Sequence, residues 1–592
     1  MKWKLQRIYL YLATAVIFLI LTAFLIVPIL LTVKGGFTDG QTGKITAKYF
    51  IGEGYGVFRD PLYMRGLFNA IKIASATTLI CLAATLPMAM IAARYDFRGK
   101  AVITSLLLVP LILPPFVGAI GLQSLLGRFG ALNSALMWLG LLQPDQPGID
   151  FLGGAVGGRF LAVVLLEVLH LYPILYLNLV AAFANLDPSL GEAARMLGAS
   201  RVKRFFRCTL PLVSPGIFAG STLVFIWSFT ELGTPLMLEF KEVTPVQVFY
   251  GLTDIQSNQK PYALVVVMLL VAAFLYACGR LAVNSPAAAD SNRASIAAAP
   301  QQLKGWRAIL VPISFLAIVA AAVLPHLGVI LNSFSASGGW YRSVLPSSWT
   351  GQHFAEALGH ELAMRSILNS LLYAGVSVIL CSGLGVAVAY LTVRIRIRGG
   401  AVLDTLAMMP LAVPGLVMAF GYLALTLWLE RTLGDTFLAP AARWFSVQGE
   451  NPQPIVLLVI AYAIRRLPYI VRSASAGLEQ TSGSLEEASR NLGAGWATTI
   501  RRIVLPLILA NLIAGAILVF SFAMLEVSDS LILAEQEQHY PITKAIWTLF
   551  NRLGDGPYIA SAMGVWAMAL LATTLIAASV IMGRRVGAMF RI

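Results

Sequence analysis

The sequence predicts an all-α polytopic membrane protein with about twelve transmembrane helices, arranged as two tandem six-helix repeats. Three observations support this fold class: the composition, the spacing of apolar segments and an internal repeat. Of the 592 residues, 58% are hydrophobic and only 12% are charged. Soluble domains contain about twice that fraction of charged residues. The chain therefore lacks the charge to cover a surface that faces water, and most of its surface must face lipid.

Twelve apolar segments are long enough to cross a hydrocarbon core, which needs about 20 residues per helix. The predicted spans are 8–34, 66–94, 101–127, 158–184, 213–238, 261–283, 307–333, 366–393, 401–430, 454–478, 508–533 and 559–583. The first is too long for a signal peptide and has no cleavage site. We therefore expect it to remain as an anchor.

The net charge of +15 is concentrated in a few segments. Lys and Arg crowd the N-terminus and the segments 94–100, 195–207, 394–398, 490–502 and 584–591. With twelve spans, all of these fall on one side of the membrane, and the positive-inside rule makes that side cytoplasmic. We therefore expect both termini in the cytoplasm, and the positive charge does not indicate nucleic-acid binding.

The repeat is visible as matched strings. LFNAIKIA at 67–74 corresponds to ILNSLLYA at 367–374. Further along, GEAARMLGASRVKRFFRCTLPL at 191–212 corresponds to EEASRNLGAGWATTIRRIVLPL at 486–507. Because each repeat has six spans, the halves share one orientation, which implies a pseudo-two-fold axis along the membrane normal and a pathway between them.

These matches divide the chain into three parts. The first half is residues 1–283 and the second half is residues 305–592. Between them, residues 284–304 are rich in Ala, Ser and Pro. This composition predicts a flexible linker on the cytoplasmic side.

One loop in each half carries helix signals of its own. In the first loop, 186–212, Asp187 is predicted to cap a helix and Gly198 to end it. Ser200 is predicted to cap a second, basic helix that stops at Pro211. The second loop, 481–507, repeats these signals at Ser482, Gly493 and Pro506. Each loop should form a compact helix-turn-helix.

These loops resemble the EAA loops of permeases of binding-protein-dependent ABC importers, in which Glu-Ala-Ala precedes a Gly and a later Leu-Pro. The matching residues are Glu192, Ala193, Ala194, Gly198, Leu210 and Pro211 in the first loop, and Glu487, Ala488, Ser489, Gly493, Leu505 and Pro506 in the second. Ser489 replaces the usual second Ala, a change between small residues, and Cys208 stands where the family has Ile. The resemblance covers nearly the whole chain and implies the type I importer permease fold. It is nearest to the ferric-iron type, whose relatives handle phosphonates, sugar phosphates, thiamine and polyamines.

The resemblance also implies partners. Each loop would dock into a cleft of a cytoplasmic ABC ATPase, present in two copies, and a periplasmic or extracellular binding protein would deliver the substrate. The chain would lie in the bacterial inner membrane. No G-x-x-x-x-G-K-[ST] motif occurs in the sequence, so we expect no catalytic residues and no cofactor here, with ATP and Mg²⁺ held by the ATPase. The histidines and cysteines lack metal-ligand spacing, so no metal site is predicted.

Two carboxylates occupy matching places in the fifth and eleventh spans. They are Glu231 in WSFTELGTP and Glu526 in SFAMLEVSDS. A charge in the hydrocarbon core is costly, so an ionisable residue there is a functional candidate. The two could line a gate or attract a cation. Alternatively, both lie near the external ends of their spans and are hydrated.

The fourth and tenth spans differ in their charges. Glu167 and His170 share one helix face and form either an internal pair or a substrate contact. At the matching place the second half has Arg465 and Arg466. Guanidinium groups bind phosphate or carboxylate well. These two could instead extend to the membrane surface or form salt bridges with the opposite half.

The sequence therefore predicts a permease that accepts substrate from a binding protein and passes it to the cytoplasm by alternating access. Ferric iron is the expected substrate, since relatives of this type import it and the glutamates suit a cation. The arginines favour an organophosphate, a phosphonate or another small anion instead. A proton-coupled secondary transporter also uses parallel six-span repeats and buried carboxylates, but it has no need of two matched helix-turn-helix loops.

Overall fold

The structure is a computed structural model that describes residues 2–582, apart from 41, 55, 112, 144, 154–157, 185, 255–257, 284–300 and 450–451. Eleven helices in this part of the chain are long and apolar enough to span a membrane, and one bent pair brings the number to twelve. The predicted all-α polytopic fold is confirmed.

The apolar helices follow the predicted order. In the first half they are Leu10–Gly36, Pro61–Arg94, the bent pair Lys100–Leu111 and Pro115–Trp138, Gly158–Ala184, Arg201–Met237 and Lys260–Gly279. In the second half they are Arg307–Phe334, Glu361–Ile395, Gly400–Leu411 with Gly415–Leu433, Pro454–Glu479, Trp496–Met524 and Gly556–Thr574. Shorter helices connect them: Lys48–Ile51, Pro188–Met196, Thr244–Tyr250, Gly251–Asp254, Gln352–Gly359, Ala439–Arg443, Ser484–Asn491, Ser528–Leu533, Glu537–His539 and Ile542–Phe550.

The third predicted span, 101–127, is not one straight helix. It forms Lys100–Leu111 and Pro115–Trp138, whose axes differ by 92°. Pro114 stands at the break. Proline has no backbone N–H and keeps the preceding residue out of the helical region. The prediction of a continuous span was therefore wrong here.

The ninth predicted span, 401–430, is divided in the same way. The short helix Gly400–Leu411 precedes Gly415–Leu433, and Pro414 separates them. Only the second of these two helices is long enough to cross the membrane. The two proline breaks thus stand at matching places in the two halves, and both face the same central cavity.

The first long helix of the first half packs on the second half. Leu10–Gly36 lies against Gly415–Leu433. There the Tyr422 hydroxyl donates a hydrogen bond to the carbonyl oxygen of Phe24 at 2.9 Å. A Cβ on Gly421 would approach backbone atoms of the opposing helix to 3.0 Å, so glycine allows the two backbones to come close.

The first long helix of the second half packs on the first half in return. Arg307–Phe334 lies against Pro115–Leu126. A Cβ on Gly121 would fall 1.8 Å from a carbonyl oxygen of that helix, which no side chain could tolerate. Nearby, His326 Nε2 lies 3.3 Å from the carbonyl oxygen of Pro114. This exchange of helices ties the two halves together around the space between them.

The predicted linker lies largely outside the described residues, which omit 284–300. Its last part is ordered against the first half, because Gln301–Gln302 forms a short parallel strand pair with Tyr95–Asp96. The side-chain amide of Gln302 donates a hydrogen bond to Asp96 Oδ2 at 2.7 Å. The 284–304 linker stays a prediction, with residues 301 and 302 paired to the first half.

Candidate functional site

A cavity of about 240 Å³ lies between the two halves. The two proline breaks contribute Pro114 and Pro414 to its wall. All six predicted pathway residues line it, namely Glu167, His170, Glu231, Arg465, Arg466 and Glu526. The structure thus brings together residues that lie up to 359 positions apart in the chain. Their part in transport remains a prediction.

On the first-half face, a buried carboxylate is held by hydroxyl groups. Glu167 is 2% exposed and accepts hydrogen bonds from Thr77 Oγ1 at 3.3 Å and from the Ser228 hydroxyl. His170 Nδ1 lies 2.8 Å from the carbonyl oxygen of Pro110, so it carries the proton and donates it. The expected Glu167–His170 pair was therefore wrong, since the hydrogen bonds described for each go to other groups.

The second carboxylate of this face is held by backbone groups. Glu231 Oε1 accepts hydrogen bonds from the N–H of Gly233 at 3.1 Å and of Thr234 at 3.3 Å. The salt bridges of the described residues include neither Glu231 nor Glu167. The first half therefore presents two carboxylates to the cavity, each bonded to neutral donors.

On the second-half face, the carboxylate is paired with cations. Glu526 is 3% exposed and forms salt bridges with both Arg465 and Arg466. Arg465 Nη1 also lies 3.4 Å from Asp529 Oδ2. Arg466 Nη2 donates to the carbonyl oxygen of Phe522 at 3.3 Å, and its guanidinium lies 5.4 Å from the centre of that ring.

Three alternatives raised by the sequence are thereby corrected. Arg465 and Arg466 neither cross to the opposite half nor extend to the membrane surface, because their carboxylate partners lie in the same half. Glu526 is not hydrated at the end of its span, because it is buried against both guanidinium groups. Glu526 lies in the break between Leu505–Met524 and Ser528–Leu533, whereas both arginines lie within Pro454–Glu479.

Sequence reasoning missed two residues of this cluster. Asp529 is fully buried, and its Oδ1 has no hydrogen-bond partner among the described residues. A signal was present, because Asp529 follows Glu526 by three residues and matches Thr234 in the first half. The second is Gly415, where a Cβ would fall 1.8–2.3 Å from the guanidinium of Arg465. That guanidinium can lie against the backbone only because residue 415 is glycine.

The first of the two loops forms the predicted helix-turn-helix. Pro188–Met196 is capped by Asp187, whose carboxylate accepts the N–H of Ser189 at 2.8 Å. This hydrogen bond lowers the pKa of Asp187 below its ordinary value. Gly198 has a φ of 75°, and the Ser200 hydroxyl accepts an N–H of the next helix at 3.3 Å. The predicted caps and turn are confirmed in this loop.

The second loop repeats this form with a small shift. Its helix is Ser484–Asn491, and the Ser482 hydroxyl accepts the N–H of Ser484 at 3.3 Å. The residue that directly precedes the helix is Gly483 rather than Ser482. Gly493 has a φ of 88°, so both turns use the left-handed conformation that glycine adopts without strain.

The expected stops at Pro211 and Pro506 were wrong. In each half the second helix of the loop runs on into the next membrane helix, so that the fifth apolar helix is Arg201–Met237. A five-residue π-helical segment precedes each proline, Phe205–Thr209 in the first half and Ile500–Val504 in the second. These wider turns leave room for a proline ring and for the missing hydrogen bond. Each loop is therefore continuous with a helix of the bundle.

Both loops expose apolar side chains at matching positions. Leu197 and Leu492, which directly precede the turn glycines, are 88% and 90% exposed. Leu190 and Leu485, earlier in each helix, are 49% and 50% exposed. Large apolar groups left open at equivalent places in both halves are typical of a surface that another protein covers.

Comparison with known proteins identifies the class to which this fold belongs. The family model described as the inner membrane component of binding-protein-dependent transport systems matches twice, at residues 85–285 and 381–586. The ferric transport system permease protein of Actinobacillus pleuropneumoniae is 27% identical over 564 residues, which cover 93% of this chain and 74% of that protein. The spermidine/putrescine transport system permease protein of Escherichia coli K12 is 32% identical over 207 residues, which cover 35% of this chain and 72% of that protein.

A solved structure also has a similar chain. It is a bacterial ABC transporter involved in the import of the acidic polysaccharide alginate, with 15% identity, a TM-score of 0.34, and an alignment over 45% of this chain and 94% of its own.

The two family matches together span more than half of the sequence and fall once in each half. They include both helix-turn-helix loops and most of the helices that line the central cavity. The chain is a multi-pass protein of the inner membrane and belongs to the family of inner membrane permease components of binding-protein-dependent ABC importers, with both permease halves fused in one polypeptide.

Proposed function

We propose that this permease passes ferric iron from a binding protein to the cytoplasm through the cavity between its halves. The observation that carries the proposal is the first-half face of the cavity, where Glu167 and Glu231 accept hydrogen bonds from neutral donors. Oxygen ligands of this kind are preferred by hard cations. The ferric transport permease that is similar over 93% of the chain supports the same substrate.

The second-half face suits the passage of a cation rather than its retention. Because Glu526 and Asp529 balance the charges of Arg465 and Arg466, the carboxylates of this face add little to the attraction that a cation would feel. Conduction requires binding that is strong enough for entry and weak enough for release. A face with two carboxylates opposite a charge-balanced face meets that requirement.

The same ion pairs weaken the case for an organophosphate, a phosphonate or another small anion. That alternative depended on Arg465 and Arg466 being free to bind an anion, whereas both are engaged by Glu526. An anion would have to displace a buried carboxylate, which lies directly between the two guanidinium groups. The geometry therefore favours the cation.

Energy would come from a separate ATPase, present in two copies and holding ATP and Mg²⁺. We propose that each copy receives one loop, with Leu197 and Leu492 inserted into its cleft, because these side chains are almost fully exposed at the two turns. The loops and both termini would then lie in the cytoplasm, with the 284–304 linker joining the halves there. The binding protein would dock on the opposite side, and no nucleic acid takes part.

Two measurements test this proposal. The purified permease should retain the ATPase in a pull-down, and the Leu197→Glu/Leu492→Glu variant should lose it, because a charge replaces the apolar group at each turn. Leu197→Met/Leu492→Met is the matched control, since it keeps an apolar side chain of similar size at each turn and adds no charge. Retention of the ATPase by the first variant, or no retention by the unaltered permease, would contradict the docking.

The second measurement concerns the substrate. The partner binding protein is heated with Fe(III), with phosphonates, with sugar phosphates or with thiamine, and its melting temperature is recorded. A ligand present at 100 times its Kd stabilises a protein by about 2.7 kcal/mol, so the true ligand should raise the melting temperature. We expect this with Fe(III); a shift only with a phosphonate, a sugar phosphate or thiamine would contradict iron as the substrate.

A further inference from the structure

The two loops are attached to their halves in different ways. The first docking helix is Pro188–Met196 and the second docking helix is Ser484–Asn491. In the second, Glu486 is 5% exposed and points away from solvent, toward the end of the membrane helix Glu361–Ile395. A buried carboxylate needs partners to offset the loss of hydration, and that membrane helix supplies them.

Two side chains of that membrane helix hold the Glu486 carboxylate. Arg394 Nε lies 2.9 Å from Glu486 Oε1, and the Tyr390 hydroxyl donates a hydrogen bond to Glu486 Oε2 at 2.9 Å. Arg394 Nη2 also donates to the carbonyl oxygen and the hydroxyl of Thr481, both at 2.6 Å. The side chains of Arg394 and Glu486 are only 18% and 6% exposed. The start of the second docking helix is thus bound to one membrane helix by an ion pair and a hydrogen bond.

The junction between the second docking helix and this membrane helix also includes aromatic contacts. The ring of Tyr390 meets the ring of Trp496 edge-on, with centroids 5.9 Å apart. The guanidinium of Arg490 lies 4.9 Å from the centre of the Trp496 ring. Arg490 belongs to the second docking helix and Trp496 begins the helix after its turn. Both arms of this loop therefore contact Tyr390, through Glu486 in one arm and Trp496 in the other.

The described residues of the first half form no such junction, although the first half has a matching arginine. Arg94 corresponds to Arg394, but the counterpart of Glu486 is Gly191, which has no side chain, and Met90 replaces Tyr390. Arg94 is exposed. The carbonyl oxygen of Gly191 instead accepts a hydrogen bond from Arg204 Nη1 at 3.3 Å, a residue of the same loop.

We propose that Arg394, Tyr390 and Glu486 form a latch that makes the second docking helix move as one body with the membrane helix Glu361–Ile395, whereas the first docking helix has no such latch. The proposal rests on the proposed docking of an ATPase to each loop. Glu361–Ile395 packs along Pro454–Glu479, which carries Arg465 to the cavity. The motion produced by closure of the ATPase would thus be transmitted more directly to the second-half face of the cavity than to the first-half face.

The test compares matched arginines in the assembled complex. The permease, the ATPase and the binding protein purified with its bound cargo are reconstituted in vesicles, and the stimulation of ATP hydrolysis by the loaded binding protein is measured. Allosteric coupling between sites is typically worth about 5–150-fold. We expect Arg394→Gln and Glu486→Gln to reduce the stimulation at least about fivefold, with the ATPase still bound, and Arg94→Gln to leave it unchanged.

A second, milder variant keeps the test informative if Arg394→Gln prevents assembly of the complex. Tyr390→Phe removes one hydrogen bond to Glu486 and keeps the ion pair, so it should assemble and show a smaller reduction than Arg394→Gln. Unchanged stimulation in Tyr390→Phe and Arg394→Gln, or an equal loss in Arg94→Gln, would overturn the latch. Failure of the unaltered permease to bind the ATPase would instead contradict the proposed function itself.

Discussion

The two faces of the central cavity occupy equivalent positions in the repeat but carry different electrostatics. In the first half, Glu167 and Glu231 are bonded to hydroxyl and backbone donors. In the second half, Glu526 is buried between Arg465 and Arg466. Glu231 and Glu526 match in the repeat, so this acidic position is common to both halves while its partners differ. A fused chain permits such divergence, because each half can change without changing the other.

The largest expected effect comes from removing a carboxylate on each face in turn. Glu526→Gln leaves two buried guanidinium groups without this counter-ion, and breaking a buried pair in this way costs about 3–5 kcal/mol. Glu231→Gln is the matched control. It retains an oxygen that can accept both N–H groups, so its cost should stay below about 1 kcal/mol. Thermal unfolding in detergent compares them, and equal losses would contradict the difference between the faces.

The turns of the two loops, by contrast, should be equivalent. Gly198→Val and Gly493→Val place a β-branched residue at positive φ, where each costs about 1–2 kcal/mol. We expect the double variant to hydrolyse ATP with reduced uptake, because both docking helices lose their orientation. Gly191→Ala, in the first docking helix at an ordinary φ and with open space around its Cβ, is the control. Full uptake by the double variant would contradict a docking role for the turns.

A smaller effect is expected where Arg465 lies against the backbone of Gly415. Gly415→Ala would bring a Cβ to within 1.8–2.3 Å of the guanidinium, which two carboxylates hold in place. Overpacking of this kind costs about 1–3 kcal/mol. Gly375→Ala, a membrane-helix glycine with nothing within 4 Å of its Cβ, is the control. If both variants melt at the same temperature, the close contact at Gly415 does not constrain Arg465.

The smallest expected effect is a difference in pH response between the N-terminal caps of the two docking helices. Asp187 caps the first with a carboxylate whose pKa is lowered by the Ser189 N–H, whereas the Ser482 hydroxyl serves the second and does not titrate. Because the folded pKa is the lower one, the cap stabilises the helix above the ordinary pKa near 3.8 and loses this effect as the pH falls through the folded value. Protection of the first docking helix against hydrogen exchange should therefore fall at low pH in the unaltered chain but not in Asp187→Ser, which has the neutral kind of cap found in the second helix; an equal fall in both chains would contradict this.

Local sequence was sufficient to predict most of the helices, the repeat and the two loops. Asp187, Gly198 and Gly493 have short-range signals, and each occupies the predicted conformation. The six residues proposed to line the pathway also followed from the cost of placing charges in lipid. What local sequence could not predict was the pairing of these groups.

The pairing of these groups depends on which helices pack together. In this chain, the first long helix of each half packs on the other half. Arg465 and Glu526 are 61 residues apart, and only the packed structure shows that they meet. The packing of Leu10–Gly36 on the second half has no signal within that helix. The π-helical segments before Pro211 and Pro506 were missed because proline was interpreted as a helix stop.

ATP-driven import of iron by this permease can be measured in reconstituted vesicles. Vesicles containing the permease and the ATPase receive binding protein loaded with radioactive Fe(III), and internal iron is counted with and without ATP. We expect accumulation that requires both ATP and the ATPase, and that falls when Glu167→Gln and Glu231→Gln are combined. Accumulation driven by a pH gradient without ATP, or unchanged in the double variant, would contradict this expectation.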